Sequence, residues 1–120
     1  MRKLVLATAL IFALPAAASA ADVANGESVF KKCKACHAVD GKNKVGPHLD
    51  GVVGRKAGTV EGFSYSDPMK NSGKTWDEAT LDGYLANPKE FIPGNKMVFV
   101  GVKDEADRKD LIAYLATLKK

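Results

Sequence analysis

The chain has 120 residues, 46% hydrophobic, 27% charged and only 8% aromatic, enough for one modest domain and too little for a multidomain enzyme or a many-span membrane protein. Eighteen Lys and Arg stand against fourteen Asp and Glu, a formal +4, but Arg2 and Lys3 lie in a segment that reads as removable. The rest carries sixteen basic against fourteen acidic side chains, a net +2, so basic character depends on where the lysines sit rather than on their number.

Residues 1–20 have the pattern of an export signal. Met1-Arg2-Lys3 is a short positive start, Leu4 to Leu14 is uncharged and apolar, and Ala18-Ser19-Ala20 supplies the small side chains a signal peptidase requires. The apolar run covers 11 residues, too short for a hydrocarbon core that takes about 20. Cleavage after Ala20 or Ala21 is expected, leaving 21–120 as a single exported domain.

Asp22 is placed to cap a first helix over 23–35, with Val23, Gly26, Val29, Phe30 and Cys33 on one face. Gly26 costs helix propensity, which suits close approach of another helix. Residues 37–65 hold seven Gly or Pro and no sustained periodicity, a loop too long for a compact domain unless it wraps something. Ser66-Asp67-Pro68 opens a short helix that stops at Gly73. Thr75-Trp76-Asp77-Glu78 reads as a capping box for a helix running to Asn87-Pro88. A last helix begins at Lys103 or Asp104, with Leu111, Tyr114, Leu115 and Leu118 at helical spacing and Lys119 and Lys120 completing its basic end. No stretch reads as a strand. The expected class is all-α with long loops, and its apolar side chains are too few to fill those loops without a guest.

Cys33-Lys34-Ala35-Cys36-His37 names that guest, because C-x-x-C-H is the attachment signature of a c-type haem. Two thiols three positions apart reach the two vinyl groups of one porphyrin, and the next residue sets an imidazole beneath the iron. A thioredoxin-like motif would need a preceding strand and a βαβ frame. A structural zinc site would need four ligands, and only His48 is left over. A plain disulfide would leave His37 and the glycine-rich loop unexplained.

The far side of the iron decides between electron transfer, peroxidase chemistry and gas binding. Met97 lies in an apolar, turn-rich stretch, Ile92 to Phe99, and is the expected sixth ligand. Met69, among Asp67, Lys70 and Asn71, reads as a solvated or core-edge methionine, and His48 as a surface histidine.

With these residues assigned, the chain resembles the small class I cytochromes c, of the bacterial c2 type similar to mitochondrial cytochrome c. The matching segments are CKACH at 33–37, GPHLDGVVGRKAG at 46–58, GFSYSDPMKNSGKTWDEATLDGYLANPKEFIPGNKMVFVG at 62–101 and DRKDLIAYLATLKK at 107–120. The resemblance implies three to five helices wrapped around one haem c, covalently bound through Cys33 and Cys36, with the first and last helices crossing near Gly26, Phe30, Leu111 and Tyr114. It implies His37 and Met97 as axial ligands, with the Pro47 carbonyl accepting from the free nitrogen of His37. Arg55, Tyr65 and Trp76 would donate to the propionates, Tyr84 would lie by the methionine sulfur, and Phe99 would shield the haem edge. Relative to mitochondrial members the His37–Pro47 interval is two residues shorter. Met69 stands in place of an asparagine, and Asn95 replaces a threonine beside a propionate.

The function so implied is one-electron carriage in the periplasm, with no substrate turned over. The donor would be a quinol-oxidising membrane complex, and the acceptor an oxidase or photosynthetic reaction centre. Lys32, Lys34, Lys89 and Lys96, widened by Lys31, Lys42, Lys44 and Lys103, would form a ring that steers a monomeric carrier onto acidic partner surfaces. A haem peroxidase or gas sensor with a displaceable Met97 is the alternative from a different class. Nucleic acid is not an expected partner, because the chain has no basic run or recognition motif.

Overall fold

The structure, a computed structural model, describes residues 20–119 and Thr8. The expected export signal lies outside the described residues apart from Thr8 and Ala20. Five helices follow in order: α1 Val23–Phe30, α2 Asp67–Lys70, α3 Glu78–Ala86, α4 Pro88–Phe91 and α5 Glu105–Thr117. Among the described residues there is no strand, only an isolated antiparallel bridge between Lys56 and Thr75.

The helix starts follow local chemistry. Asp22, Ser66, Asp77, Asn87 and Asp104 each turn a side-chain oxygen onto a backbone N–H of the first turn, satisfying a donor the helix itself cannot use. The capping box expected at Thr75 does not form. Thr75 is held in the bridge to Lys56, so the chain is still extended there and α3 starts later, under Asp77. α4 has no counterpart among the expected elements. Pro88, fixed in φ and needing no N–H partner at the first helical position, restarts a helix directly after Asn87. α5 ends at Thr117, so Lys119 lies beyond its last turn and the expected basic end is not part of the helix.

α1 is shorter than its periodicity suggests. After Phe30 the chain tightens into turns, with Lys31, Lys32 and Cys33 donating to the carbonyls of Ser28, Val29 and Phe30, three residues back instead of four. Packing of α1 across α5 supplies the frame. A Cβ on Gly26 would strike the Asp110 carbonyl and lie 2.8 Å from Tyr114 Cβ, so only glycine lets the two backbones approach this closely. Phe30 and Leu111 are fully buried at the crossing, and the Phe30 and Tyr114 rings are 5.2 Å apart. Burial of a Phe or Leu side chain contributes about 1.5–3 kcal/mol. α3 packs against both α5 and α4, and Trp76, Leu81, Tyr84 and Leu85 extend the same core.

Candidate functional site

A cavity of about 610 Å³ opens between the 33–37 turn, the 43–66 loop, α3 and the 95–99 segment. That volume lies within the range of cofactor sites, and its wall includes Cys33, Cys36, His37 and Met97 together. The Cys33 carbonyl accepts from Cys36 N at 3.1 Å and His37 N at 2.9 Å, which holds all three motif side chains on one turn. Both thiols are free, Cys33 half-buried and Cys36 exposed. Burial pushes the Cys33 thiol up to about 11, against the pull of Lys32 and with the push of Cys36. Among the described residues no group of three or more His, Cys, Asp or Glu could hold a metal ion.

His37 Nδ1 lies 2.7 Å from the Pro47 carbonyl. A carbonyl only accepts, so Nδ1 carries the proton and Nε2 keeps its lone pair. Burial lowers the His37 pKa, and Arg55 and Lys44 add to this against the Pro47 hydrogen bond; the ring stays neutral and able to bind a metal. The shortened interval before Pro47 still delivers its carbonyl to the ring. Gly46 makes this possible: a Cβ there would strike the ring at Cε1 and lie 2.7 and 2.8 Å from Nδ1 and Nε2.

On the opposite wall the Tyr84 hydroxyl donates to Met97 Sδ at 3.8 Å. Burial raises the Tyr84 phenol to about 12, so it remains a donor throughout the physiological range. The Trp76 and Tyr84 rings are 4.9 Å apart. Arg55, Tyr65 and Trp76 all line the cavity. Arg55 Nη1 donates to the His48 carbonyl at 3.0 Å, and the Tyr65 hydroxyl accepts from Val60 N at 3.1 Å, which fixes both side chains at the wall. Phe99 also lines the cavity. Asn95 does as well, but its amide donates to the carbonyls of Pro88 and Ile92, both at 2.8 Å, so its hydrogens are engaged within the loop. Met69 is a cavity-lining residue packed on the core, at the core edge rather than in solvent.

His48 is not a surface residue. It is 8% exposed, with Nδ1 2.9 Å from Asp50 Oδ1 and its backbone N–H donating to Asn43. The sequence signal was Asp50 itself, an acid two residues along that could satisfy a buried imidazole. Burial opposes the Asp50 charge, but hydrogen bonds from Gly41, its own backbone and His48 outweigh burial and hold the carboxyl below its ordinary range.

Among the expected docking lysines, Lys32 and Lys96 line the cavity, joined by Lys44. Lys89 lines an adjacent depression with Asn87, Val98, Phe99 and Val100. Lys34 lines neither, and its carbonyl accepts from Lys44 Nζ at 3.0 Å. Within the apolar 92–99 stretch Ile92 is buried, whereas Val98 is 93% exposed. Val98 and Val100 point out while Met97 and Phe99 point in, the alternation of an extended segment. Val45 at the cavity wall is also exposed.

The donor set therefore fits a c-type haem: two unpaired thiols on one turn, a neutral imidazole with its lone pair free, and a thioether, around a predominantly apolar cavity. Comparison with known proteins agrees. Residues 23–119 match the family model described as cytochrome c. The chain is 61% identical over 101 residues to cytochrome c2 of Rhodomicrobium vannielii, covering 82% of this chain and 81% of that one. It is 54% identical over 117 residues to cytochrome c2 of Blastochloris viridis, covering 96% and 92%. The structure of cytochrome cH from Methylobacterium extorquens superposes with a TM-score of 0.78 at 54% identity, covering 80% of this chain and 98% of that one. The chain thus belongs to the cytochrome c family, of the c2 type, and carries one haem c covalently bound through Cys33 and Cys36, as an electron carrier and not an enzyme.

Proposed function

We propose that this chain is a periplasmic one-electron carrier whose haem iron is held between His37 and Met97. In this reading it takes electrons from a quinol-oxidising membrane complex and delivers them to an oxidase or reaction centre. The observation that carries it is the pairing of a tautomer-fixed His37 with a Met97 whose sulfur receives the Tyr84 hydroxyl, on the walls of one cavity. When bound, the haem supplies a reversible ferric–ferrous couple, and a methionine opposite a histidine favours the ferrous state and raises the potential. Met97, holding the iron from this wall, would keep oxygen and peroxide from it. Arg55, Tyr65 and Trp76 supply donors for the propionates, which need them once partly withdrawn from water. Export rests on the signal pattern of residues 1–20, with 21–120 as the working domain.

Docking is assigned to Lys32, Lys34, Lys89 and Lys96, with Lys32 and Lys96 at the cavity and Lys89 beside the exposed Val98 and Val100, charges that suit brief encounters with acidic partners. Replacement of Met97 by alanine tests the ligand assignment. The expected result is loss of the thioether-to-iron absorption, a midpoint potential lower by on the order of 100 mV, within the roughly 0.8 V span that axial ligands command, and ready cyanide binding. The same outcome in Met69→Ala, with Met97→Ala unchanged, would refute it.

A further inference from the structure

We propose that Asn95 is the positioning residue that keeps Met97 at the cavity, and so sets how readily the iron opens to an outside ligand; this rests on the ligation of Met97 proposed above. Among the described residues, no backbone–backbone hydrogen bond involves residues 96–101; the next one along the chain is Val102 N to the Leu85 carbonyl at 2.7 Å. The Met97 N–H instead donates to Asn95 Oδ1 at 2.9 Å. The same side chain donates through Nδ2 to the Pro88 and Ile92 carbonyls, both at 2.8 Å. Pro88 is fully buried and Ile92 only 3% exposed, so these carbonyls belong to the rigid part of the fold. One amide therefore ties the backbone of the methionine to buried structure by three hydrogen bonds, in a segment that has no ladder of its own.

The residue type is matched to this task. A primary amide offers two donors and an acceptor from one rigid plane, whereas a hydroxyl has a single donor. Beyond Asn95 the segment is held by the Tyr84 hydroxyl on the sulfur and by packing of Met97 and Phe99, with Val98 and Val100 in solvent. Such a segment opens locally before the fold does, and an outside ligand binds in proportion to the open fraction.

The test is the rate at which the ferric holoprotein binds excess cyanide. Asn95→Ala is expected to raise it about tenfold, which corresponds to about 1.4 kcal/mol. Asn95→Asp keeps the acceptor for Met97 but sets a carboxylate oxygen against the Pro88 and Ile92 carbonyls, and it should act in the same direction should the alanine variant fail to fold. Asp104→Ala, which removes the α5 cap far along the chain, controls for general destabilisation and should leave the rate unchanged. Wild-type rates in both Asn95 variants, or equal acceleration in Asp104→Ala, would overturn the proposal. If the wild type lacks the thioether-to-iron absorption, or Met97→Ala retains it, the ligand assignment fails instead.

Discussion

The Tyr84 hydroxyl donates to the sulfur of Met97 across 3.8 Å, from a phenol buried between Trp76 and Phe91. A donor on the sulfur withdraws electron density from it and disfavours the ferric iron that the sulfur would otherwise supply. Tyr84→Phe keeps the ring packing and removes only the donor. Its expected effect is a midpoint potential lower by about 20–40 mV, corresponding to a weak hydrogen bond of about 0.5–1 kcal/mol in a one-electron couple. Potentiometry of the two proteins at neutral pH measures it, and an equal or higher potential in the variant would show that the hydroxyl does not act on the sulfur.

The docking reading makes a kinetic prediction. Lys96 lies at the cavity and Lys89 at the neighbouring depression, both exposed and next to Val98. With a bulk charge of only +2 over residues 21–120, steering must come from this local arrangement. Lys89→Glu combined with Lys96→Glu should slow electron exchange with isolated membranes about tenfold at low ionic strength, and the difference should shrink as salt approaches 1 M, where the screening length is about 3 Å. A deficit that stays constant with salt would indicate lost contact instead of lost steering.

The residues differ in how plainly the sequence announces them. Cys33, Cys36 and His37 are legible because their spacing is itself the chemistry, and Gly26 announces a close helix approach whose partner, α5, only the family resemblance names. What escapes is the path of the chain, which neither spacing nor composition records. Pairing of Thr75 with Lys56 moves the start of α3, and no local pattern near Thr75 indicates such a bridge. His48 reads as a surface residue because an axial histidine is already assigned, yet it is buried, and Asp50, two residues along, pairs with its ring. The resemblance sets the Asn95 amide beside a propionate, whereas its hydrogens go to carbonyls three and seven residues back, a choice fixed by the turn that follows α4.

The His48–Asp50 pair carries a pH dependence of stability. Asp50 has its pKa depressed from the ordinary 3.8 by hydrogen bonds that exceed the cost of its burial. A depressed carboxyl stabilises the fold fully above its unfolded value, and that contribution is lost as pH falls through the folded value. Asp50→Asn should therefore destabilise the protein at neutral pH by about 1.5–3 kcal/mol, the range for hydrogen bonds to a charged group. Below the ordinary value of 3.8 the gap between variant and wild type should narrow. Urea unfolding across this range measures both, and a gap that does not change with pH would place the effect in packing.

Two glycines separate the stability of the frame from the chemistry of the site. At Gly26 a methyl would meet the Asp110 carbonyl and the Tyr114 Cβ, neither of which can swing aside, so Gly26→Ala must push α1 from α5. Overpacking of this kind costs about 1–3 kcal/mol, seen as a lower urea midpoint, while the axial environment of the iron and its visible spectrum stay as in the wild type. At Gly46 a methyl would meet the imidazole of His37 instead. The ring can yield only by leaving its line to the Pro47 carbonyl, and that hydrogen bond sets both tautomer and orientation. Gly46→Ala is therefore expected to alter the visible spectrum and the midpoint potential even where the fold survives. An unchanged spectrum in a folded Gly46→Ala protein would show that His37 accommodates the methyl without moving, and that Gly46 does not hold the ligand in place.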